Sequence, residues 1–281
     1  MEIHVEVAAD TLWSIPIPGT GLEFHFTNSF LTMLIVMAVL LIVGTLIARR
    51  ATLVPTAGQS IFEMAAEFML GMIEGAAGKR AARTIFPLVG GLFLFIIVAN
   101  YSGLLPGIGT IGLERVDETG HHVLVPLFRP PSADLNMTLA MAVVTFVVVQ
   151  VLGIRAHGVK GRIKHMANPP FLFPIEVIGE FSRIISLSFR LFGNIFAGEV
   201  LLTVMYTLAN AIKITVVGLL VPVVFLYLEV LFGFIQALVF ALLTLIYIVL
   251  ATADGHDDHA EERGGAEAAH HAPAPASGGG D

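Results

Sequence analysis

The longest apolar run in the sequence, residues 214–251, contains a single charged side chain, Glu229. As one α-helix it would measure ~57 Å at a rise of about 1.5 Å per residue, almost twice the roughly 30 Å of hydrocarbon in a bilayer. Two upright helices and a turn barely fit into this length, so the run predicts one strongly tilted membrane helix. Gly218, Pro222 or Gly233 can bend it.

The preceding segment, residues 174–210, has the same unusual length but carries several charges. They are Glu176, Glu180, Arg183, Arg190 and Glu199. We expect two long neighbouring helices, 174–209 and 213–252, that form a hairpin near Asn210. A charge at the centre of a lipid-facing helix costs roughly 2.5–3.5 kcal/mol, so such residues normally face protein or water and mark ion pathways.

Three further runs have the ordinary length of a membrane helix, about 20 residues. They cover residues 30–48, 86–105 and 135–154, and none contains a charge. In the whole chain 56% of residues are hydrophobic and only 13% are charged, so most of it belongs in lipid. The sequence therefore predicts an all-α, polytopic membrane protein with about five membrane-embedded helices.

The basic residues predict the orientation, because short cytoplasmic loops are enriched in Lys and Arg. They follow the first and third spans: Arg49, Arg50, Lys79, Arg80, Arg83, Arg155, Lys160, Arg162 and Lys164. We therefore expect an external N-terminal segment, residues 1–28, a membrane domain over 29–253, and a cytoplasmic C-terminus. Residues 254–281 are acidic and rich in His, Ala, Pro and Gly, which predicts a disordered tail.

Residues 59–80 predict an amphipathic helix that does not span the membrane. Glu63, Glu67 and Glu74 fall on one face, and apolar side chains cover much of the rest at the helical period. Two interpretations remain open. The helix lies at the cytoplasmic membrane surface or against a partner, or it is a connecting helix with a solvated face.

Composition and motifs exclude several function classes. The chain has no cysteine, hence neither a disulfide nor a thiolate metal site, and it has no basic patch for nucleic acid. Its one Gly-Lys pair, Gly78-Lys79, lacks the other residues of a phosphate-binding loop. Four histidines in the tail can hold a metal adventitiously, but a solvated tail is the simpler interpretation. We expect no cofactor, no metal site and no ATP chemistry in this chain.

Arg190 is the central candidate for function. Its neighbours along the helix are mostly apolar, and no acidic residue lies within one helical turn, so its partner must come from another helix or another chain. A guanidinium stays protonated at physiological pH, so it can act as a fixed counter-ion and barrier but not as a proton carrier. The alternative for Arg190 taken alone is a structural salt bridge.

Helical geometry places other polar residues along the same stripe. Glu176 and Arg183 fall within about 40° of the face of Arg190, and Asn194 follows it by one turn on the same side. Together they predict a polar path along one helix. Taken alone, Glu180 and Arg183 are better explained as a local ion pair near the cytoplasmic surface.

A second polar group is predicted around Glu199. This residue lies about 180° from Arg190 around the helix and ~13 Å along it, so it faces a different neighbour. On the following helix Glu229 and Gln236 are seven positions apart and share a face. Carboxylic acids inside membrane proteins form proton relays, whereas amides such as Gln236 and Asn194 alone serve as hydrogen-bonding contacts between helices.

Residues 188–199, Ser-Phe-Arg-Leu-Phe-Gly-Asn-Ile-Phe-Ala-Gly-Glu, closely resemble the signature of the subunit a family of F-type ATP synthases. Two other segments look like the same family: 131–138, Pro-Ser-Ala-Asp-Leu-Asn-Met-Thr, and 100–106, Asn-Tyr-Ser-Gly-Leu-Leu-Pro. The resemblance covers essentially residues 25–253, and its arginine motif is highly specific.

The resemblance implies a non-catalytic, proton-translocating stator subunit of a rotary ATP synthase. Arg190 matches the family's indispensable arginine, which sits beside the rotating c ring and separates two aqueous half-channels. Glu176 matches an acid of the cytoplasmic half-channel. The external half-channel is matched by Glu199, Glu229, Asn194, Gln236 and Asp134.

The same resemblance implies the c ring, b-type peripheral stalk subunits and other synthase subunits as partners, with membrane lipid. The implied location is a bacterial cell membrane or an equivalent energy-transducing membrane. Some relatives place histidine where Glu229 stands, which would change the pH range of proton uptake. The alternative is a self-contained secondary ion transporter or channel, although residues 174–251 have no repeated counterpart in the sequence.

Overall fold

The computed structural model describes residues 8–16, 23–52, 55–106, 108, 111–116, 122–166, 171, 173–212 and 215–253. Its five long helices are α1 (Asn28–Arg49), α2 (Ala57–Ser102), α3 (Leu135–Met166), α4 (Phe173–Ile212) and α5 (Thr215–Thr252). Each is long and apolar enough to cross a membrane, so the chain is a polytopic helical membrane protein, as predicted. The predicted disordered tail, 254–281, lies outside the described residues, as do residues 1–7 of the predicted N-terminal segment.

Two short β-hairpins were missed by the all-α prediction. The strands are β1 (Thr11–Pro16), β2 (Glu23–Thr27), β3 (Gly112–Val116) and β4 (His122–Pro126), paired antiparallel as β1 with β2 and β3 with β4. Trp13 stacks on Phe26 of the opposite strand with ring centroids 4.2 Å apart. Phe26 in turn packs edge-on against Phe30, at 5.1 Å, and so joins the first hairpin to α1.

Both hairpins belong to the end of the helix bundle where α1 and α3 begin and α2 and α4 finish. We call this the strand end, and we call the other the opposite end. At the strand end, the side-chain oxygen of Thr27 accepts a hydrogen bond of 3.2 Å from the backbone N–H of Phe30 and caps α1. The residues that α1 buries all lie near this end: Asn28, Ser29, Thr32 and Val36. Most of the remaining apolar side chains of α1 are exposed and suited to lipid.

Helix α2 combines the amphipathic helix and the second span, which were predicted as separate helices 59–80 and 86–105. The chain turns at Gly78, inside the predicted helix 59–80 and near its end, and the φ of 77° and ψ of 157° there belong to a region open essentially to glycine alone. The first piece buries Met69 and Ile73 while exposing Ile61 and Met64. Its apolar surface therefore divides between the protein core and the outside.

Helix α3 continues well past the predicted end at residue 154. A second glycine break, at Gly158 with φ 71°, turns the chain, and a further helical piece runs to residue 166. Gly153 permits a close approach to α5, since a Cβ there would lie 3.1 Å from the carbonyl oxygen of Ala251. The extension was not predicted because its basic residues and glycines are typical of a loop.

Helices α4 and α5 pack against each other as the predicted hairpin, and residues 213–214 between them lie outside the described part. Helix α5 is one continuous helix of 38 residues, not two upright ones. About 20 residues suffice for an upright span, so the length of α5 supports the predicted tilt. The tilt itself stays a prediction.

Helix α5 contacts α2, α3 and α4 and provides much of the core. Its most buried side chains are Gln236, Ala237, Phe240, Ala241, Thr244, Leu245 and Ile248. Gly233 allows α2 to come close, since a Cβ there would lie 3.3 Å from the ring of Tyr101. Small residues at helix contacts let the backbones approach closely, which strengthens van der Waals packing. This packing matters in lipid, because no hydrophobic driving force brings helices together there.

Candidate ion-translocation site

Arg190 lies on an exposed face of α4. Its Nη2 donates a hydrogen bond to the Oγ of Ser186 at 3.3 Å. Among the described residues no carboxylate lies within 4.0 Å of its guanidinium. Exposed apolar side chains also occur on another side of the helix, where Phe181, Ile185 and Phe189 form a stripe about 100–180° around from Arg190. The fixed charge thus faces outward from a helix that is apolar enough to span a membrane.

The opposite side of α4 is anchored in the core. Leu187, Leu191 and Ile195 recur every four residues and are buried. Between them Ser188 is fully buried, with its hydroxyl 3.1 Å from that of Thr138 on α3. This packing fixes the rotation of α4, and so it determines that Arg190 points outward.

Asn194 and Gln236 meet across the helix hairpin. The side-chain amide of Asn194 donates to Oε1 of Gln236 at 3.0 Å, and Gln236 is buried. Since Asn194 follows Arg190 by one turn, a polar contact between α4 and α5 lies next to the arginine. The bond fits both predicted roles, a helix-packing contact and the lining of a hydrated path.

Glu199 and Glu229 also come together, farther toward the strand end. The carboxylate of Glu229 packs against the backbone of Gly198, so closely that any Cβ at this glycine would collide with both oxygens. Glu199 is near enough for its charge to interact with that of Glu229. The different neighbour predicted for Glu199 is therefore α5.

Arg129 joins this carboxylate pair and was missed in the sequence. Its Nε lies 3.7 Å from Oε2 of Glu199. Arg129 is buried, whereas the side chain of Glu199 is 40% exposed. The residue stands alone between an apolar strand and two prolines, seventy positions before its partner. Only the buried setting, which requires the fold, marks Arg129 as a candidate site residue.

Asp134, predicted to line the external half-channel, lies at the strand end, and its role in that channel stays a prediction. It is buried where α3 begins, and its Oδ1 accepts a hydrogen bond of 2.9 Å from the backbone N–H of Asn136. Its recorded side-chain contact is therefore that of a helix cap. The structure does not record a contact between Asp134 and the pair of Glu199 and Glu229 within the described residues.

At the opposite end Glu180 holds a buried charge cluster. It is more than the local pair predicted with Arg183, because Arg162 from the α3 extension also binds the same carboxylate oxygen, at 3.2 Å. Gln150 donates to the other oxygen at 3.0 Å. The side chains of Glu180 and Arg162 are only 7% exposed, so the two residues form a desolvated ion pair. Gln150 forms hydrogen bonds with both of them.

Glu176 lies at the outer edge of the same cluster. Its carboxylate is 3.8 Å from Arg183, and both side chains are partly exposed. The guanidinium of Arg183 also sits over the ring of Tyr247, 5.2 Å from its centroid. Glu176 is thus linked to Glu180 through Arg183, and the three residues belong to one network.

An open pocket lies beside this network, between α3, α4 and α5, and its volume of about 270 Å³ includes space continuous with the solvent. Its polar lining comes from Glu180, Arg183, Tyr247 and Thr145. The hydroxyl of Thr145 is buried without a hydrogen-bond partner among the described residues. A buried polar atom next to open space is a suitable site for water. No group of three His, Cys, Asp or Glu residues in the described part is placed to share a metal ion.

The fold and the site define a class of protein. Along α4, Arg190 lies between the cluster of Glu180 and the cluster of Glu199, about ten residues or ~15 Å from each. Five helices that can span a membrane, with charged groups spaced along one of them, define a multi-pass membrane protein of the ion-translocating class.

Comparison with known proteins identifies the family. Residues 30–249 match the family model described as ATP synthase A chain. Similar proteins include ATP synthase subunit a of Moorella thermoacetica, 38% identical over 76% of this chain and 85% of the relative. Subunit a 2 of Syntrophotalea carbinolica is 36% identical over 84% of this chain and 88% of its own length. The chain belongs to the ATP synthase subunit a family, whose members are proton-translocating membrane subunits that work with the other subunits of the synthase.

Proposed function

We propose that this chain is the non-catalytic stator subunit of its ATP synthase and that Arg190 couples proton flow to rotation of a c ring. The position of Arg190 carries the proposal. The residue faces outward from α4, a helix apolar enough to span a membrane, and has no carboxylate partner among the described residues. A cation in such a place is costly unless another chain supplies a counter-charge. A ring of carboxylates that passes this face supplies one.

Two half-channels would deliver protons to that ring. The external one is built at the strand end from Glu199, Glu229, Asn194 and Gln236, with Asp134 fixing the start of α3. The cytoplasmic one is built at the opposite end, from Glu176 and the open pocket beside Glu180. Each proposed path contains acids or amides that can order water or carry a proton, and they approach Arg190 from opposite directions.

Arg190 performs two tasks in this arrangement. As a permanent cation it attracts an ionised ring carboxylate, which makes that carboxylate release its proton before it arrives. It also repels a proton that would otherwise cross directly between the half-channels. Lysine is a poor substitute, because its compact ammonium is strongly hydrated and can deprotonate when buried.

The surface of α4 around Arg190 is the proposed contact with the c ring. Phe181, Ile185 and Phe189 form an exposed apolar stripe on another side of α4, suited to lipid or to a partner subunit. The strand end then faces outside and the opposite end, with most basic residues, faces the cytoplasm. The N-terminus is external and the C-terminus cytoplasmic. Peripheral-stalk subunits of b type complete the assembly, and the partners carry the ATP chemistry.

The test is proton flux and ATP synthesis in vesicles that contain the purified complex. Arg190→Ala should abolish synthesis while the complex still assembles, because the exposed side chain contributes little packing. Arg190→Lys should fail as well. Arg50→Ala is the matched control, since it removes an exposed arginine at the end of α1 and should keep normal coupling.

Two results would contradict the proposal. Synthesis near the wild-type rate in Arg190→Ala would mean that the gate lies elsewhere. Purification of the chain as a functional monomer or homodimer, without a c ring and peripheral ATPase subunits, would favour a self-contained transporter instead.

A further inference from the structure

Arg129 is held at the strand end by contacts from two other segments. Its Nη1 donates a hydrogen bond of 2.7 Å to the carbonyl oxygen of Ala8. Its backbone N–H donates to the hydroxyl of Thr32 on α1 at 3.3 Å. The residue is only 6% exposed. Its guanidinium therefore has a defined position, which is unusual for an arginine in a connection between secondary-structure elements.

A second set of hydrogen bonds fixes the segments that hold Arg129. The fully buried amide of Asn28 donates to Oδ2 of Asp10 and to the carbonyl oxygen of Pro126, both at 3.1 Å. The backbone N–H of Asn28 donates to the carbonyl of Asp10 at 3.0 Å. The segment before β1, the start of α1 and the end of β4 are thereby joined in one rigid frame around Arg129.

From this frame the guanidinium reaches Glu199. Oε2 of Glu199, 3.7 Å from Nε of Arg129, is buried and has no hydrogen-bond partner among the described residues. That separation suits an ion pair but is too long for a direct hydrogen bond. The oxygen can therefore accept a proton, or a hydrogen bond from a water molecule, without first breaking a hydrogen bond to Arg129. Within the described residues, the charged groups around Glu199 are Arg129 from the connection and Glu229 from α5.

We propose that Arg129 is a positioning residue for proton uptake at the strand end, where its anchored cation keeps Glu199 ionised and ready to accept a proton beside Glu229. The proposal rests on the proposed function, in which these acids lie on the external path. Two neighbouring carboxylates cannot both ionise cheaply, because each charge disfavours the other. A nearby cation offsets this repulsion at one of the two, and the contact geometry selects Glu199.

The anchors of Arg129 matter for this role. An arginine on a free loop could leave Glu199 once that residue is protonated and move toward Glu229. Glu229 would then be the acid that the cation keeps ionised. The bond to Ala8 leaves Nε directed toward Glu199. A proton that arrives from outside binds the Glu199 carboxylate, and Arg129 keeps its own proton throughout, since guanidinium does not deprotonate in proteins.

The test is a double-mutant cycle of Arg129→Gln, Glu199→Gln and the pair, in vesicles that contain the whole complex. ATP synthesis is measured against external pH, and assembly is measured as membrane-bound ATPase. Loss of a cation next to a carboxylate favours the protonated form, so the external-pH profile of Arg129→Gln should move upward by about one pH unit. In the Glu199→Gln background, Arg129→Gln should cause no additional shift. Arg129→Lys should give a smaller shift than Arg129→Gln, because lysine keeps the positive charge. A shift should remain, because one ammonium cannot bond Ala8 and also lie beside Glu199.

The outcomes separate the two proposals. A Glu199→Gln variant with wild-type flux removes Glu199 from the pathway and contradicts the proposed function at this site. A slowed Glu199→Gln variant combined with an unshifted profile in Arg129→Gln overturns the positioning role alone. An equal effect of Arg129→Gln with and without Glu199 does the same, since it indicates a purely structural residue. If Arg129→Gln fails to assemble, Arg129→Lys decides, and an unshifted profile there overturns the inference.

Discussion

Gly198 offers a sharp test of the contact between α4 and α5. A methyl group at this position collides with the carboxyl carbon and both oxygens of Glu229. The carboxylate must retreat by about 1 Å or the helices must separate, at an overpacking cost of ~1–3 kcal/mol. Alanine recovers about 1 kcal/mol through its higher helix propensity. The net cost to stability is thus at most ~2 kcal/mol, and assembly should survive.

The effect on function should be larger than the effect on assembly. The end of a flexible side chain moves more easily than two packed helices, so Glu229 should change position. A displacement of about 1 Å at a reacting group can cost up to ~100-fold in rate, and we expect at least a tenfold fall in ATP-driven proton pumping. Gly91→Ala is the matched control, since a Cβ there meets nothing within 4 Å.

A second variant tests the cause. Aspartate at position 229 is one methylene shorter, so Gly198→Ala combined with Glu229→Asp should pump faster than Gly198→Ala alone. Wild-type pumping in Gly198→Ala, with the complex fully assembled, would show that the carboxylate does not depend on this contact. The assignment of Glu229 to the proton path would then lose its geometric support.

Two further predictions concern the buried acids. Double replacement of Glu199 and Glu229 by glutamine should slow ATP-driven pumping without loss of assembly, and unchanged pumping would exclude both from the path. Glu180→Gln leaves Arg162 without its ion-pair partner in a desolvated site, so we expect the complex to lose ~2 kcal/mol of stability, read as a lower melting temperature in detergent. Adding Arg162→Gln should recover part of that loss, and an unaltered melting temperature in Glu180→Gln alone would contradict the reasoning.

Much of the helical framework is readable from the sequence, because membrane spans depend mainly on hydropathy and length. The single helix over 214–251 followed from the absence of charges and from the thickness of a bilayer. The glycine breaks did not, since Gly78 and Gly158 look like other glycines of the chain until their positive φ angles are known. The hairpins were also missed, because two short strands form no core of their own and leave only a weak pattern.

The site was predictable where its members share one helix or two adjacent helices. Helical geometry separated Arg190 from Glu199 and placed Glu199 against the next helix. Contacts between distant segments left no such signal. Arg129 reaches Glu199, and Arg162 reaches Glu180, through the packing of whole helices, so neither pair has a fixed spacing in the sequence.

The polar contacts along α4 have a mechanical consequence. Glu180 is tied to the α3 extension, Ser188 to Thr138, and Asn194 to Gln236. In the proposed assembly a c ring slides past the outer face of α4 and applies a sideways load to this one helix. A polar contact supports the helix against that load at intervals of eight and six residues. The load therefore passes into α3 and α5 at three heights, and α4 resists both bending and rolling under torque.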